Sequence, residues 1–217
     1  MKIRYLGHSS FYIRTKKAKI VTDPFDPQMV GFSFLRQEAD IVTISHHHKD
    51  HDRADLVKGA PLVIDLPGEY EKLGVKIIGY STFHDAKKGS ERGENTIFKI
   101  EAENLSLLHL GDLGHILSDS LIEEIGEINV LFIPIGGFYT IGPKEAVELI
   151  GKIEPSVVIP MHYNHSLLNP QVFSKLFSLE DFLRLIDDYE RVDTFELSQQ
   201  SLEGKEKQVV ILNLPKK

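Results

Sequence analysis

Short runs of apolar residues, separated by residues typical of turns, repeat along the chain and predict a protein rich in β-strands. In the first half we predict strands over residues 2–6, 10–14, 18–22, 39–45, 61–66 and 75–83, with a short helix over 52–58 that Gly59 ends. In the second half we predict strands over 95–102, 105–110, 129–135, 157–160 and 209–214, and helices over 119–125, 143–153 and 178–191. Strands therefore dominate the first half, and strands and helices alternate in the second.

The helices of the second half carry recognisable start signals. Ser118 can accept a hydrogen bond from a free backbone N–H, and Pro143 can occupy a first turn, where its missing N–H does no harm. Ser178 and Asp181 resemble a capping box. About a dozen strands are too many for one doubly wound sheet, so we predict an α/β protein with two packed sheets and outer helices. No linker or repeat divides residues 1–217, which predicts a single domain.

The composition limits the chemistry that the chain can carry. Its 217 residues include no Cys, which excludes disulfides, thiolate nucleophiles and cysteine-ligated metal sites. A net charge of -7 argues against extensive nucleic-acid binding. The apolar runs are too short to span a bilayer and the first residues lack a signal-peptide core, so we expect a cytoplasmic protein outside any membrane. The unusual feature is His: the chain has 10, and several lie in residues 46–51.

Metal-ligating side chains follow four of the predicted strands, at the point where each strand ends. They are His46, His48, Asp50 and His51 after strand 39–45, His84 after 75–83, Asp112 after 105–110, and His162 after 157–160. Because α/β sheets build their ligand sites at the carboxyl ends of strands, we expect these side chains to meet. Imidazole and carboxylate groups suit borderline divalent metals. The sequence therefore predicts a metal centre made of nitrogen and oxygen donors.

The spacing of these donors suits two metal ions. His46 and His48 are two residues apart, so an extended turn points them the same way, whereas the adjacent Asp50 and His51 face differently. Seven donors exceed what one tetrahedral ion needs but suit two ions that share a carboxylate. Two ions about 3.5–4 Å apart can hold a bridging hydroxide. Water could then be the nucleophile, which explains how a chain without Cys could be an enzyme.

Residues 46–51 (His-His-His-Lys-Asp-His) form the H-x-H-x-D-H motif of the metallo-β-lactamase superfamily, and His84, Asp112 and His162 resemble the later motifs of that family in the expected order. Residues 7–10, 110–112, 134–137 and 159–163 resemble more narrowly a branch of Zn-dependent hydrolases that includes ascorbate-phosphate lactonase-like proteins. The resemblance implies a four-layer αβ/βα sandwich of two mixed β-sheets with helices on the outer faces, which agrees with the strand count.

The resemblance also implies a ligand set. One ion would be held by His46, His48 and His84, the other by Asp50, His51 and His162, with Asp112 bridging. Asp50 would also orient the hydroxide and so act in catalysis, and Asp23 would support the ligands from behind. Zinc is the expected metal, although manganese and iron also suit His and Asp ligands. The family pattern supplies no role for His47, where we expect an exposed or supporting side chain.

Other side chains near these strand ends are candidates for supporting or substrate-binding roles. His8 and His109 are expected to orient ligands by hydrogen bonding. For Arg92 two interpretations stay open, a solvated cation or a group that binds a phosphate or carboxylate of the substrate. Phe138 and Tyr139 could line the cleft, and His165, expected at a loop or helix edge, could reach the substrate. Tyr139, His165 and a metal-bound water are candidates for protonating the leaving group.

Together these residues predict a dinuclear metal-dependent hydrolase, in which a metal-bridging hydroxide attacks an ester, lactone or phosphodiester bond of a small-molecule substrate. Two alternatives stay open: an iron-dependent redox enzyme on the same fold, and a non-catalytic metal-binding regulatory module. The sequence does not specify the substrate. A homo-oligomer is also left open, with residues 165–208 as a candidate interface.

Overall fold

The computed structural model describes residues 1–214. Its strands are β1 (Lys2–Gly7), β2 (Ser10–Arg14), β3 (Lys19–Thr22), β4 (Ile41–Thr43), β5 (Leu62–Ile64), β6 (Gly68–Lys72), β7 (Val75–Phe83), β8 (Glu94–Ala102), β9 (Leu105–His109), β10 (Val130–Pro134), β11 (Val157–Met161), β12 (Tyr189–Val192), β13 (Phe195–Glu196) and β14 (Gln208–Leu212). Its helices are α1 (Pro27–Val30), α2 (Asp119–Ile125), α3 (Pro143–Ile153), α4 (Pro170–Phe173) and α5 (Leu179–Leu183), with 3₁₀ turns at Ala54–Leu56 and Gln200–Leu202. Every helix in this range is too short or too polar to cross a bilayer.

Two mixed β-sheets form the framework. Within residues 1–214, one sheet has six strands in the order β13-β1-β2-β3-β4-β5 and the other has eight in the order β12-β14-β11-β10-β9-β8-β7-β6. In the first sheet β3 pairs antiparallel with β2 and parallel with β4. In the second, β9 pairs antiparallel with β8 and parallel with β10. Both sheets therefore contain the two kinds of pairing.

The main hydrophobic core lies between the sheets. Phe11 of β2 packs on Phe132 of β10 with ring centroids 4.4 Å apart, so the sheets are joined directly. A second apolar cluster packs Val42 of β4 with Phe173 of α4, and Leu149 of α3 is buried in the main core. Helices thus pack against both sheets, and the predicted α/β sandwich of two mixed sheets with outer helices is confirmed.

The differences from the sequence prediction concern short elements. The predicted helix over 52–58 is only the 3₁₀ turn Ala54–Leu56, and the helix predicted to reach residue 191 ends at Leu183. The following residues form β12, which pairs with β14 at the edge of the eight-stranded sheet. β6, α1 and α4 lie in segments for which no helix or strand was predicted. Isolated segments of this length have weak local preferences, so tertiary contacts decide their conformation.

The strand ends that carry His and Asp residues meet at one edge of the sandwich. β7 and β9 both run antiparallel to β8, while β9, β10 and β11 are parallel, so the carboxyl ends of β7, β9 and β11 face the same way. The carboxyl end of β4 reaches them from the other sheet, where Thr96 N donates to Ser45 O at 2.7 Å. Gly111 has a φ of +53°, and a Cβ there would lie 2.5 Å from the Ser45 Cβ. A glycine at 111 therefore lets the two sheets meet.

We expect Phe132→Ala to lower the free energy of unfolding by about 3–5 kcal/mol, because it empties a fully buried position between the sheets. Urea unfolding followed by circular dichroism measures this loss. Phe177→Ala is the control, since that ring is half-exposed and its removal should cost less than about 1 kcal/mol. Equal losses for the two variants would contradict this location of the core.

Candidate metal centre

The buried carboxylate of Asp112 lies among four imidazoles. Its Oδ2 is 3.2 Å from His51 Nε2, 3.2 Å from His162 Nε2, 3.4 Å from His84 Nε2 and 3.8 Å from His46 Nε2. These residues follow β4, β7, β9 and β11, the strands whose ends meet. The structure therefore brings together the His and Asp residues that were predicted to meet.

The donors fall into overlapping groups, within each of which all ligand atoms lie within 4.8 Å of one another. One group contains His46, His48 and His84. Another contains Asp50, His51 and His162 together with His8. A third group, His46, His51 and Asp112, shares members with both. The first two groups contain the residues that the family resemblance assigns to the two ions, with His8 as an additional donor, and the assignment of ions to them stays a prediction.

The donor atoms fit a bound cation. His46 Nε2, His51 Nε2, His162 Nε2 and Asp112 Oδ1 are buried and have no hydrogen-bond partner among residues 1–214. Buried polar atoms are normally paired, because desolvation without a partner costs free energy. Imidazole nitrogens and carboxylate oxygens are also the donors that zinc, manganese and iron accept. The cluster can therefore hold divalent metal.

The pKa shifts within the cluster also favour a bound cation. Burial alone would raise the pKa of Asp112, but the imidazoles of His162 and His51 outweigh it and hold that pKa well below its usual range. Burial would lower the pKa of His51, but Asp112 and Asp50 raise it well above the usual value. Burial lowers the pKa of His84 to about 4. The carboxylates of Asp112 and Asp50 thus favour a positive charge at His51. A bound metal ion could supply this charge in place of the proton on the imidazole.

A second layer of hydrogen bonds orients the cluster. Asp23, fully buried at the end of β3, receives hydrogen bonds from Ser45 N at 2.8 Å and Ser45 Oγ at 2.6 Å. Its Oδ2 lies 2.9 Å from His51 Nδ1, which turns the Nε2 of that ring toward Asp112. Such carboxylate–imidazole pairs fix the tautomer and direction of a ligating ring. Asp23 thus lies behind the cluster, where the resemblance placed it.

His8 and His109 also lie beside the cluster and form hydrogen bonds. His8 Nε2 is 3.2 Å from Asp50 Oδ2. His109 accepts a hydrogen bond from Gly111 N on Nδ1 at 3.2 Å, so its Nε2 carries the proton and donates to Ser9 O at 2.8 Å. His109 thereby holds the turn that presents Asp112 at the end of β9.

Three of these residues have backbone φ angles in the left-handed region: His8 (56°), Asp23 (39°) and His162 (52°). This conformation costs a non-glycine residue about 1 kcal/mol or more and persists where the surroundings impose it. Here His162 N donates to His8 O at 3.0 Å, which links the turn after β1 to the end of β11. The strained positions therefore lie where chain segments from both sheets converge on the cluster.

A cleft of about 280 Å³ opens beside the cluster. It is lined by His48, Asp50, His84, Arg92, Asp112, Met29, Tyr139, Val172 and Phe173. The Arg92 guanidinium carbon lies 5.7 Å from the centroid of the Tyr139 ring. Arg92 and Tyr139, both suggested by sequence, thus face the cleft, whereas Met29, Val172 and Phe173 carried no sequence signal.

Two other sequence candidates, His165 and Phe138, are not among the residues that line this cleft. His165 packs on Phe32, with ring centroids 5.5 Å apart, and lines a separate pocket with Asn164 and Arg191. Phe138 is 48% exposed, and its ring lies under Lys175 Nζ at 4.6 Å. The Tyr139 hydroxyl donates to Val172 O at 2.9 Å, so it is already engaged and does not present its proton to the cleft. The structure thus offers neither His165 nor Tyr139 as the proton donor to a leaving group.

His47, which has no counterpart in the family pattern, faces solvent. It is exposed, and its Nδ1 lies 2.7 Å from Asp52 Oδ2. The structure therefore places it away from the buried donors, as expected from the sequence.

A buried carboxylate also shapes the loop that carries Arg92. Asp85 accepts backbone hydrogen bonds from Lys87 and Gly89 on Oδ1, at 2.7 and 2.9 Å, and from Glu91 and Arg92 on Oδ2, at 2.9 and 2.8 Å. Burial would raise the pKa of Asp85, but these hydrogen bonds, those from Arg92 and Glu91 most, outweigh it and lower the pKa to about 2. The loop between His84 and Arg92 is therefore wrapped around one carboxylate, a role the sequence analysis missed.

Comparison with known proteins identifies the family of this chain. The family model described as Beta-lactamase superfamily domain matches residues 2–162. A UPF0173 metal-dependent hydrolase of Pyrococcus abyssi is 31% identical over 207 residues, which cover 81% of this chain and 92% of that protein. A UPF0173 metal-dependent hydrolase of Thermococcus onnurineus is 32% identical over 206 residues, covering 81% and 92%. A crystal structure from Thermotoga maritima, described as a candidate Zn-dependent hydrolase of the metallo-beta-lactamase superfamily, has a TM-score of 0.82 and 44% identity, covering 99% of both chains.

We expect Asp85→Ala to speed amide hydrogen exchange in residues 87–92 by about tenfold or more, because four backbone N–H groups lose their acceptor. Hydrogen–deuterium exchange with mass spectrometry measures this. Lys87→Ala is the control, since it removes an exposed ion pair with Glu91 and keeps the backbone bonds. Unchanged exchange in Asp85→Ala would show that other contacts hold the loop.

Proposed function

The chain belongs to the beta-lactamase superfamily and is a metal-dependent hydrolase, and we propose that it uses two divalent metal ions to hydrolyse an ester, lactone or phosphodiester bond of a small anionic molecule. The observation that supports this most is the division of the donors into two groups joined by His46, His51 and Asp112. A single ion would leave several of these buried donors unpaired. We propose zinc as the metal, and manganese and iron also suit the donors.

The proposed ligands follow the donor groups. His46, His48 and His84 would hold one ion, Asp50, His51 and His162 the other, and Asp112 would lie between them. When bound, the two ions would supply a water activated at neutral pH and positive charge for the negative charge that develops during hydrolysis. Asp23 and His8 would keep His51 and Asp50 in position through their hydrogen bonds.

Asp50 is proposed to orient the attacking water. It lines the cleft, and its Oδ2 is held by His8 Nε2 at 3.2 Å. Burial would raise the pKa of Asp50, but the His51 and His8 imidazoles outweigh it and lower that pKa. The group is therefore held ionised, and a carboxylate can accept a hydrogen bond from water.

Arg92 is proposed to bind the anionic group of the substrate. It is half-buried at the cleft, its backbone is fixed by Asp85, and guanidinium groups pair well with carboxylates and phosphates. The cleft volume of about 280 Å³ lies near the lower end of small-molecule sites, which favours a small substrate over a nucleic acid. The overall charge of -7 also disfavours a polyanion.

Elemental analysis tests the dinuclear centre. Wild-type protein loaded with zinc should contain close to two ions per chain, and His48→Ala and Asp112→Ala should each contain about one or fewer, because each loses a proposed ligand. His47→Ala is the matched control, since His47 neighbours His48 in sequence but pairs with Asp52 and belongs to none of the donor groups found among residues 1–214. Close to two ions in all three variants would overturn the ligand assignment.

Steady-state kinetics test the role of Arg92. For Arg92→Ala we expect KM to rise about tenfold for 4-nitrophenyl hydrogen glutarate, whose carboxylate loses its partner, and to stay nearly constant for neutral 4-nitrophenyl butyrate. Lys87→Ala serves as control because its exposed ammonium lies on the same loop and pairs with Glu91. A KM for the glutarate ester that does not change in Arg92→Ala would exclude anion binding by this residue.

A further inference from the structure

Besides the proposed metal ligands and Arg92, the cleft is lined by apolar and aromatic residues that we call the apolar wall. Met29 of α1, Tyr139 of the loop after β10, and Val172 and Phe173 of α4 form this wall. The four residues come from three separate chain segments and converge only in the folded protein. The wall therefore belongs to the substrate side of the site rather than to the metal cluster.

The aromatic part of the wall runs from the metal cluster to Arg92. The Phe173 ring lies 5.0 Å from the ring of His8 and 6.4 Å from that of His162, by centroid distances. The Tyr139 ring lies 6.4 Å from the Phe173 ring, and the Arg92 guanidinium carbon lies 5.7 Å from the centroid of the Tyr139 ring. A molecule with one end at the metal cluster and the other at Arg92 would thus lie along the two aromatic rings.

The polar groups of the wall are engaged within the protein. The Tyr139 hydroxyl donates to Val172 O at 2.9 Å. The backbone N–H groups of Val172 and Phe173 donate to Asn169 O at 3.1 and 2.9 Å. These donors are therefore turned into the protein, and the side chains of Met29, Val172 and Phe173 offer no hydrogen-bond donor to the cleft. A polar atom placed against the wall would lose its water without gaining a hydrogen bond, whereas an apolar group would gain free energy.

The wall is built into the fold. Phe173 is buried in the second apolar cluster together with Val30 and Leu176. Asn169 N donates to Val30 O at 2.8 Å, which ties the start of α4 to the end of α1. Preformed apolar walls with a few polar groups at fixed points are typical of small-molecule sites.

From the arrangement of the metal cluster, the aromatic rings and Arg92 we infer that the substrate carries a short apolar segment, aliphatic or aromatic. This segment lies between its hydrolysable bond and its anionic group. The hydrolysable bond lies at the metal cluster, the apolar segment against Phe173 and Tyr139, and the anionic group at Arg92. This inference rests on the proposed function. It adds the chemical class of the substrate: a small amphipathic anion rather than a sugar phosphate or another polyhydroxylated molecule.

Calorimetric titration of the zinc-loaded wild-type protein with small carboxylates tests the wall without requiring turnover. Butyrate and methoxyacetate have the same length and charge and differ by one methylene replaced with oxygen. We expect butyrate to bind at least about fourfold more tightly, and affinity to rise about threefold to fourfold per methylene from acetate to butyrate. Equal affinities of butyrate and methoxyacetate would overturn the inferred substrate class.

Variants of the apolar wall test whether the wall causes the preference for butyrate over methoxyacetate. Val172→Thr keeps the side-chain shape but places a hydroxyl in the wall, and we expect it to remove most of the preference for butyrate while zinc content stays unchanged. Met29→Gln is a second variant of similar size with the same expected result. Val147→Thr is the matched control, because Val147 is a half-buried residue of α3 that lines a different pocket. A preference for butyrate that persists in both wall variants would place its origin elsewhere and overturn the inference.

Turnover of 4-nitrophenyl acetate and 4-nitrophenyl butyrate separates this inference from the proposed function. If neither ester is hydrolysed but butyrate still binds more tightly than methoxyacetate, hydrolysis of esters fails as the activity and the apolar wall stands. If both esters are hydrolysed at similar kcat/KM and the two carboxylates bind equally, the hydrolase proposal stands and the substrate class is overturned.

Discussion

The structure depends on one constraint: a buried carboxylate, Asp112, must lie close to imidazoles that come from both sheets. His51 and His162 approach its Oδ2 to 3.2 Å from opposite sheets of the sandwich. So many ionisable groups can be buried together only if they are paired with one another or with bound metal. The meeting of the two sheets at this edge, where Gly111 leaves room for Ser45, satisfies that requirement.

The role of each residue around this carboxylate depends on where it lies in the fold. Side chains at strand ends provide the candidate metal donors. Buried groups behind them, such as Asp23 and His109, orient these donors through hydrogen bonds. The loops and short helices provide the other side of the cleft, where Arg92 is held by the carboxylate of Asp85 and Phe173 by an apolar cluster. A rigid frame thus carries the chemistry, and the connecting segments shape what can bind beside it.

Much of the framework was predictable because it follows from local patterns. Long apolar strands such as β7 and β10, and helices with clear start signals such as α3, were predicted near their observed bounds. The elements that were missed or misassigned are short. The sequence of β6 is Gly-Glu-Tyr-Glu-Lys, whose charged residues give no apolar pattern typical of a strand. Residues 189–192 form a strand because they pair with β14. Neither strand is visible in the local sequence.

For the metal centre, the sequence by itself determined which side chains meet: His and Asp residues directly after strands converge because the ends of those strands share one edge. Only the tertiary structure decided how they are arranged, since the pairs His51–Asp23 and His8–Asp50 join residues far apart in the chain. The same holds for the apolar wall and for the Tyr139 hydroxyl, whose proton is engaged by a carbonyl of α4. Donor type is a property of a residue, but direction, hydrogen-bond partner and exposure are properties of its neighbours, and folding alone brings those neighbours together.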